Sequence, residues 1–232
     1  MGGALKKGLD DPAMREILFE TVEGEYESRG EPVRVFEELV IGKSRADAII
    51  VTRDAILGFE IKSDRDSLTR LEKQVHNYDR FCDYCFIVTG LHFLDRIEEN
   101  VPSHWGIYDI LEGDEGKLFI EMYREAIRNP AERPTIKLKN QMNLLWRSEL
   151  LQIVTEYQLT GYSRLNKYKL RDMIVEKLGK EDAKRLTCDL LLNRDYSIYR
   201  KPEMEDGQKD GAPAEKKVKR KRRRRKSKKS GS

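Results

Sequence analysis

The sequence predicts an α/β fold: a mixed central sheet with helices on its faces, then a small C-terminal helical module and a disordered basic tail. Three observations carry this. Two short runs, Ala46–Thr52 and Ala55–Ile61, are apolar on both faces, as strands of a buried sheet are. Leu68, Leu71, Val75, Tyr78 and Cys82 then recur at three- and four-residue steps and predict a helix. A further apolar run, Tyr84–Thr89, follows that helix, so the helix reads as a crossover to a parallel strand.

The elements follow in order. Asp11-Pro12 starts a helix, with a cap residue and then proline at the first helical position. Met14, Ile17, Leu18 and Val22 form its apolar side; Glu16, Glu20 and Glu23 form the other. Val33–Ile41 is a first strand, and Gly42-Lys43-Ser44 turns the chain into the second. Leu91–Asn100 is a short amphipathic helix, and Trp105–Leu111 with Lys117–Tyr123 reads as an edge hairpin. These elements define a first domain over residues 1–125. Prolines and mixed charge over 126–139 predict a linker. Residues 140–200 read as a helical module: a long helix Asn140–Tyr157, a turn at Leu159–Ser163, a helix stopped by Gly179, and a third over Glu181–Asn193. Apolar content is lost over 201–232, which predicts disorder.

Charge is unevenly distributed. The chain has 45 Lys and Arg against 41 Asp and Glu, yet 12 of those basic residues lie in Lys216–Lys229, a stretch without acids. The body is therefore acidic and the tail calls for a polyanionic partner, unless it only solubilises the chain. No apolar run is long enough to span a membrane and the N-terminus lacks a signal-peptide core. Three cysteines, an odd number, point to a reducing, cytoplasmic compartment. Cys82-x-x-Cys85 lacks a second pair of ligands for zinc and reads as core packing.

A symmetric hairpin about Arg53-Asp54 pairs position 51 with 56 and 49 with 58, which sets Asp47 opposite Glu60. Lys62 is two residues on, hence on the same face. Two carboxylates and an ammonium converge at one end of an apolar sheet, and a divalent cation would offset the repulsion. Arg-Asp is a poor type I′ turn, so the register rests on the loop being two residues long.

Asp47 and Glu60-x-Lys62 on adjacent strands after an N-terminal helix resemble the PD-(D/E)xK nuclease superfamily, with its restriction-endonuclease-like αβββαβ core. The run from Glu60 to Asp66 is similar to a bacterial and phage subgroup of small stand-alone proteins. The resemblance covers about residues 12–90; Ala46 stands where the family has proline. It implies hydrolysis of a DNA phosphodiester with Mg²⁺ (or Mn²⁺) held by Asp47, Glu60 and the Ile61 carbonyl, with Lys62 positioning the nucleophilic water. Family members often add a glutamate from the first strand or helix, here Glu38 or Glu20. Gln74 and Tyr78 match the Q-x-x-x-Y form of the exonuclease branch and share a helix face; Tyr78 is equally explained as core. Arg70, one turn earlier, is placed to reach phosphate.

Leu159–Lys167 and the following helix resemble a SAP-type helix–loop–helix that binds duplex DNA through its backbone. Arg164, Lys167, Lys169 and Arg171 would meet phosphates there; alternatively, residues 140–200 dock a protein partner, and a homodimer is compatible with the sequence. The tail, with Arg222, Arg223 and Arg224 at its centre, offers charge without aromatic stacking, or a host nuclear import signal in a eukaryotic setting. Two readings follow: a Mg²⁺-dependent DNA nuclease, or a non-catalytic DNA-binding or packaging protein on the same scaffold.

Overall fold

The computed structural model describes residues 10–196 apart from 64, 91–93, 114–115 and 131–132. Residues up to Arg194 form one compact unit. Its centre is a six-stranded mixed sheet in sequential order: β1 (Arg34–Ile41), β2 (Ser44–Val51), β3 (Ile56–Lys62), β4 (Tyr84–Gly90), β5 (Gly106–Glu112) and β6 (Leu118–Arg124). β3, β4 and β5 run parallel to one another, and the other neighbours are antiparallel. The parallel steps are made by α2 (Leu71–Asp79) and α3 (Leu94–Asn100), as parallel neighbours require.

One face of the sheet is covered by α1 (Asp11–Ser28). Met14, Leu18 and Val22 pack there with Ala48, Ile50, Phe59, Ile61 and Val88. Asp10, not Asp11, accepts the capping hydrogen bond from the Ala13 N–H. That leaves Asp11 to pair with Arg15. The other face is covered by α2, α3 and four C-terminal helices: α4 (Pro134–Met142), α5 (Arg147–Glu156), α6 (Lys167–Leu178) and α7 (Lys180–Leu192). Gly58 on β3 allows α2 to approach closely: a Cβ there would sit 2.5 Å from both the Cys82 Sγ and the Tyr78 ring. Cys82 and Cys85 are free and buried in this core.

Two stretches differ from the sequence expectation. The segment expected as a linker contributes structure, because Pro134 occupies the first turn of α4 and starts a helix. Asn129 before it is buried, donating to the Cys82 carbonyl at 2.9 Å. The expected long helix over 140–157 is two helices. Arg194 donates to the Leu144 carbonyl at 2.7 Å, and Glu149 accepts the Trp146 N–H, so the chain is re-capped between them. Arg194 and Glu149 also form a buried two-point ion pair, with both contacts at 2.7 Å. The helical region shares the hydrophobic core of α2 and the sheet instead of standing apart on a tether.

Candidate active site and basic groove

The β2–β3 hairpin has the expected register, Ile49 with Gly58 and Val51 with Ile56. Its loop is two residues long, closed by the Thr52 N–H on the Ala55 carbonyl at 3.0 Å. Neither Arg53 nor Asp54 has positive φ. The turn is therefore not type I′, and the Thr52 hydroxyl compensates by accepting the Ala55 N–H at 3.1 Å.

Regular pairing stops after Ala48 and Phe59. At the next position the Tyr78 hydroxyl inserts between the strands. It accepts the Asp47 N–H at 3.1 Å and donates to the Phe59 carbonyl at 2.9 Å. Asp47 then receives the Ile61 N–H on Oδ2 at 2.8 Å. A side chain from α2 thus replaces part of the ladder and fixes how far Asp47 and Glu60 stand apart. Tyr78 is fully buried, so its ring serves the core while its hydroxyl sets the site.

Glu60 is 1% exposed and Lys62 4%. Lys62 Nζ donates to Glu60 Oε1 at 2.6 Å and to Gln74 Oε1 at 3.1 Å. The Gln74 amide also donates to Glu60 Oε1. The second oxygen, Glu60 Oε2, is buried with no hydrogen-bond partner. Burial first, and then the nearby Asp47 carboxylate, push Glu60 up to about 7, against the pull of Lys62. Asp47 is raised too, by burial, although the Ile61 N–H and Arg15 pull it down.

Glu38 lies across from Asp47 at a gap in the β1–β2 pairing, and its φ is +53°. Positive φ strains a glutamate, and such strain persists only where the surroundings enforce it. The Glu38 side chain is paired with Arg15 of α1, a residue the sequence reading passed over. Its guanidinium contacts Glu38 at 2.9 Å, Asp47 Oδ1 at 3.2 Å and the Asp47 carbonyl at 2.9 Å, besides Asp11. Arg45 holds the other oxygen of Glu38. Glu20 sits on the exposed face of α1. Arg15 carried no motif signal; only its place one turn after Asp11 hinted at a pair.

Among the described residues, no three His, Cys, Asp or Glu side chains are close enough to hold a metal by themselves. The donors the sequence points to, Asp47, Glu60 and the Ile61 carbonyl, are those that would hold a metal here. Two carboxylates and a carbonyl suit Mg²⁺, which keeps several waters and uses few protein ligands. The buried, unpartnered Glu60 Oε2 and the raised carboxyl groups fit a cation at this point.

Beside the site lies an open groove of about 870 Å³ between the β1–β2 turn and α2. Asp47 and Gln74 line its inner end, and Lys43, Arg45, Arg70 and Lys73 are among the basic residues of its walls. Arg70 is where the sequence reading put a phosphate contact; the other three were missed, having no motif. The expected basic residues of the helical region divide. Lys167 donates to the Asn143 carbonyl at 2.7 Å, and Arg171 to Asn143 Oδ1 at 2.8 Å and the Lys139 carbonyl at 3.2 Å. Those two bind α6 to the end of α4. Arg164 and Lys169 are exposed. Arg222, Arg223 and Arg224 lie outside the described residues.

A further acidic residue shares the row. Lys62 is in register with Thr89, and Thr89 with Asp109. Asp109 is 4% exposed, its Oδ1 has no partner, and burial pushes it up to about 6.

Comparison with known proteins adds a family. A family model described as Bacteriophage P4 protein cII matches residues 11–202. Protein cII of Enterobacteria phage P4 is 22% identical over 161 residues, covering 69% of this chain and 59% of that protein. The chain thus spans well under two thirds of its relative's length. Among solved structures, a protein of unknown function from Silicibacter pomeroyi matches 64% of this chain and 96% of its own, at 19% identity and a TM-score of 0.39. Pyrococcus furiosus SfsA in complex with Ca²⁺ matches 54% of this chain and 74% of its own, at 16% identity and a TM-score of 0.34. Both structural likenesses are too remote to inform the site. No helix among the described residues is long and apolar enough to cross a membrane.

Proposed function

We propose that this chain, which belongs to the Bacteriophage P4 protein cII family, is a Mg²⁺-dependent nuclease of PD-(D/E)xK type acting on DNA. The observation that carries the proposal is the buried Glu60–Lys62 pair, with Glu60 Oε2 unpartnered, behind Asp47 and Gln74, which line a basic groove. Asp47, Glu60 and the Ile61 carbonyl would hold the metal. Bound there, Mg²⁺ would supply charge to polarise the scissile phosphate and acidify water. Lys62 orients the attacking water and offsets negative charge that develops on the phosphate. Gln74 holds both Lys62 and Glu60 in place. Tyr78 keeps the strands at the spacing the two carboxylates need. Arg45, Arg70 and Lys73 would neutralise backbone phosphates along the groove, which positions a strand without reading its sequence.

A second reading, a DNA-binding protein without catalysis, is favoured by one feature. Both oxygens of Asp47 are already engaged, one by Arg15 and one by the Ile61 N–H. A cleavage panel of single-stranded, duplex and branched DNA with Mg²⁺ separates the two. The nuclease reading expects cutting by the parent, none by Lys62→Ala, and unchanged DNA affinity. Equal cutting by both proteins removes Lys62 from the mechanism. No cutting by a clean parent, with groove-dependent binding intact, leaves the second reading.

A further inference from the structure

At the opposite end of the sheet is a second cavity, of about 580 Å³, against the N-terminal ends of β3 and β4. It lies between the Arg53-Asp54 turn, the Arg128-Asn129 segment, α4 and the first turns of α7. None of its residues belongs to the carboxylate site or the groove beside α2. Its size is that of a small-molecule pocket.

The floor is built around Asp83, a buried carboxylate that caps the sheet. Asp83 Oδ2 accepts the Ile56 N–H at 2.8 Å and the Gln141 amide at 3.2 Å, and pairs with Lys184. That charge is therefore already matched within the fold. Arg185 is matched as well, by Asp182 and Asp189; the four other cations of the lining outnumber its two other carboxylates, Asp54 and Glu181. Among the described residues, Arg53, Lys137 and Lys180 make no ion pair with a carboxylate, and Arg128 reaches Asp83 only at 3.8 Å. Lys137 is half-buried and spends one proton on the Cys82 carbonyl at 3.0 Å. Arg53, Arg128 and Lys180 are exposed at the cavity rim, and like charges gathered around one cavity repel each other and attract an anion.

A second, independent observation points to a ligand. Asn129 is 5% exposed and lines this cavity. Its amide nitrogen is used, donating to the Cys82 carbonyl at 2.9 Å and the Cys85 sulfur at 3.0 Å. Its oxygen, Oδ1, has no partner. Buried amide oxygens are nearly always hydrogen-bonded, and leaving one unpaired is costly. The cavity thus presents unmatched positive charge, one unmatched acceptor, and apolar surface from Leu138 and Pro134.

We propose that this cavity is a binding site for a small phosphorylated ligand that also carries an N–H or O–H donor, with nucleoside phosphates the class that fits. The phosphate would sit among Arg53, Arg128, Lys137 and Lys180. The donor would satisfy Asn129 Oδ1, and a base or sugar would cover Leu138. The site is independent of the proposed nuclease chemistry, so either can fail without the other.

The test is equilibrium titration of the full-length protein with ADP and separately with inorganic phosphate, at moderate salt. The basic tail binds phosphate non-specifically, so the parent is compared with variants that share the tail. Arg53→Gln with Lys180→Gln removes charge at surface positions that anchor nothing in the fold. Asn129→Leu removes the acceptor. The expected result is saturable one-site ADP binding, weakened at least tenfold in the charge variant and in Asn129→Leu, with inorganic phosphate binding far more weakly than ADP. Circular dichroism confirms that the variants fold; if Asn129→Leu does not, the charge variant still decides. Equal ADP binding by the parent and the charge variant overturns the site. Equal affinity for ADP and inorganic phosphate overturns the nucleoside class. Loss of DNA binding by the charge variant in parallel with loss of ADP binding would make the cavity part of a nucleic-acid track, and also overturns the proposal.

Discussion

Replacing Glu60 by glutamine should flatten the dependence of folding stability on pH. Folding raises this carboxyl from 4.5 to about 7. Below pH 4.5 it is protonated in both states and adds no pH-dependent penalty. As pH rises from 4.5 to about 7 the unfolded state gives up its proton while the folded state keeps it, so stability falls; above that both are ionised and the fall levels off. At about 1.4 kcal/mol for each pH unit between the two values, the loss is about 3 kcal/mol. Urea unfolding at several pH values between about 4 and 9 reads it directly as a falling midpoint. Glu60→Gln will be offset at every pH, since Lys62 loses its ion pair, but the slope is the diagnostic. Asp47 and Asp109 keep their share of it, so the slope shrinks without vanishing. Mg²⁺ gives a second reading without any substrate. At ten times its dissociation constant it should restore about 1.4 kcal/mol to the parent at pH 8 and almost nothing to Glu60→Gln. Identical pH slopes in the parent and the variant would refute the reasoning about Glu60. A Mg²⁺ effect of equal size in both would refute its role as a ligand.

Two further outcomes are expected. Tyr78→Phe removes the hydroxyl that joins the Asp47 N–H to the Phe59 carbonyl; it should cost about 2 kcal/mol in urea unfolding, and a loss under a quarter of that would mean water replaces the hydroxyl freely. Asp109→Asn removes a carboxyl raised from 3.8 to about 6; with some solvent screening allowed, it should gain about 1–2 kcal/mol over the parent at pH 8 and nothing near pH 3, and a gain that persists at low pH would place its cause in packing.

The succession of strands along the chain and the β2–β3 register were readable in the sequence because both rest on short-range rules. Period and chain direction give two buried strands with a two-residue loop. From that loop, counting back sets Asp47 against Glu60. The turn chemistry looked wrong for a hairpin, and the structure shows why it holds: Thr52 supplies with its hydroxyl what a favoured turn would supply with its backbone. The helical region was readable as helices but not in its placement. Leu138, Met142, Leu170 and Leu191 have the same apolar spacing whether they pack on each other or on a sheet face. Spacing reports that a face is buried and not what buries it. The same limit explains Lys167 and Arg171, which as charges near a helix start looked ready for phosphate. Their partners, the Asn143 carbonyl and side chain, become visible only when α4 and α6 are brought together.

Charge at the site follows a similar logic and ends in an imbalance. Asp11, Glu38, Asp47 and Glu60 face Arg15, Arg45 and Lys62 across three strands and one helix. Four carboxylates meet three cations, so one negative charge is left over. It is not spread evenly. Arg15 serves Asp11, Glu38 and Asp47 at once, and Arg45 adds to Glu38. Glu60 has Lys62 and the Gln74 amide on one oxygen, with the Tyr78 hydroxyl also lowering its carboxyl. The excess therefore falls on Glu60 Oε2, the one carboxylate oxygen of the four that is buried and without a partner. Three groups could correct the deficit: a proton, which the raised carboxyl already favours; a cation from solvent; or a donor on a bound strand. The first is lost as pH rises; the other two are what the proposed nuclease chemistry would bring. The burial of Glu60 beneath Asp47 and Gln74, which line the groove, thus leaves one charge to be met by a proton or a cation.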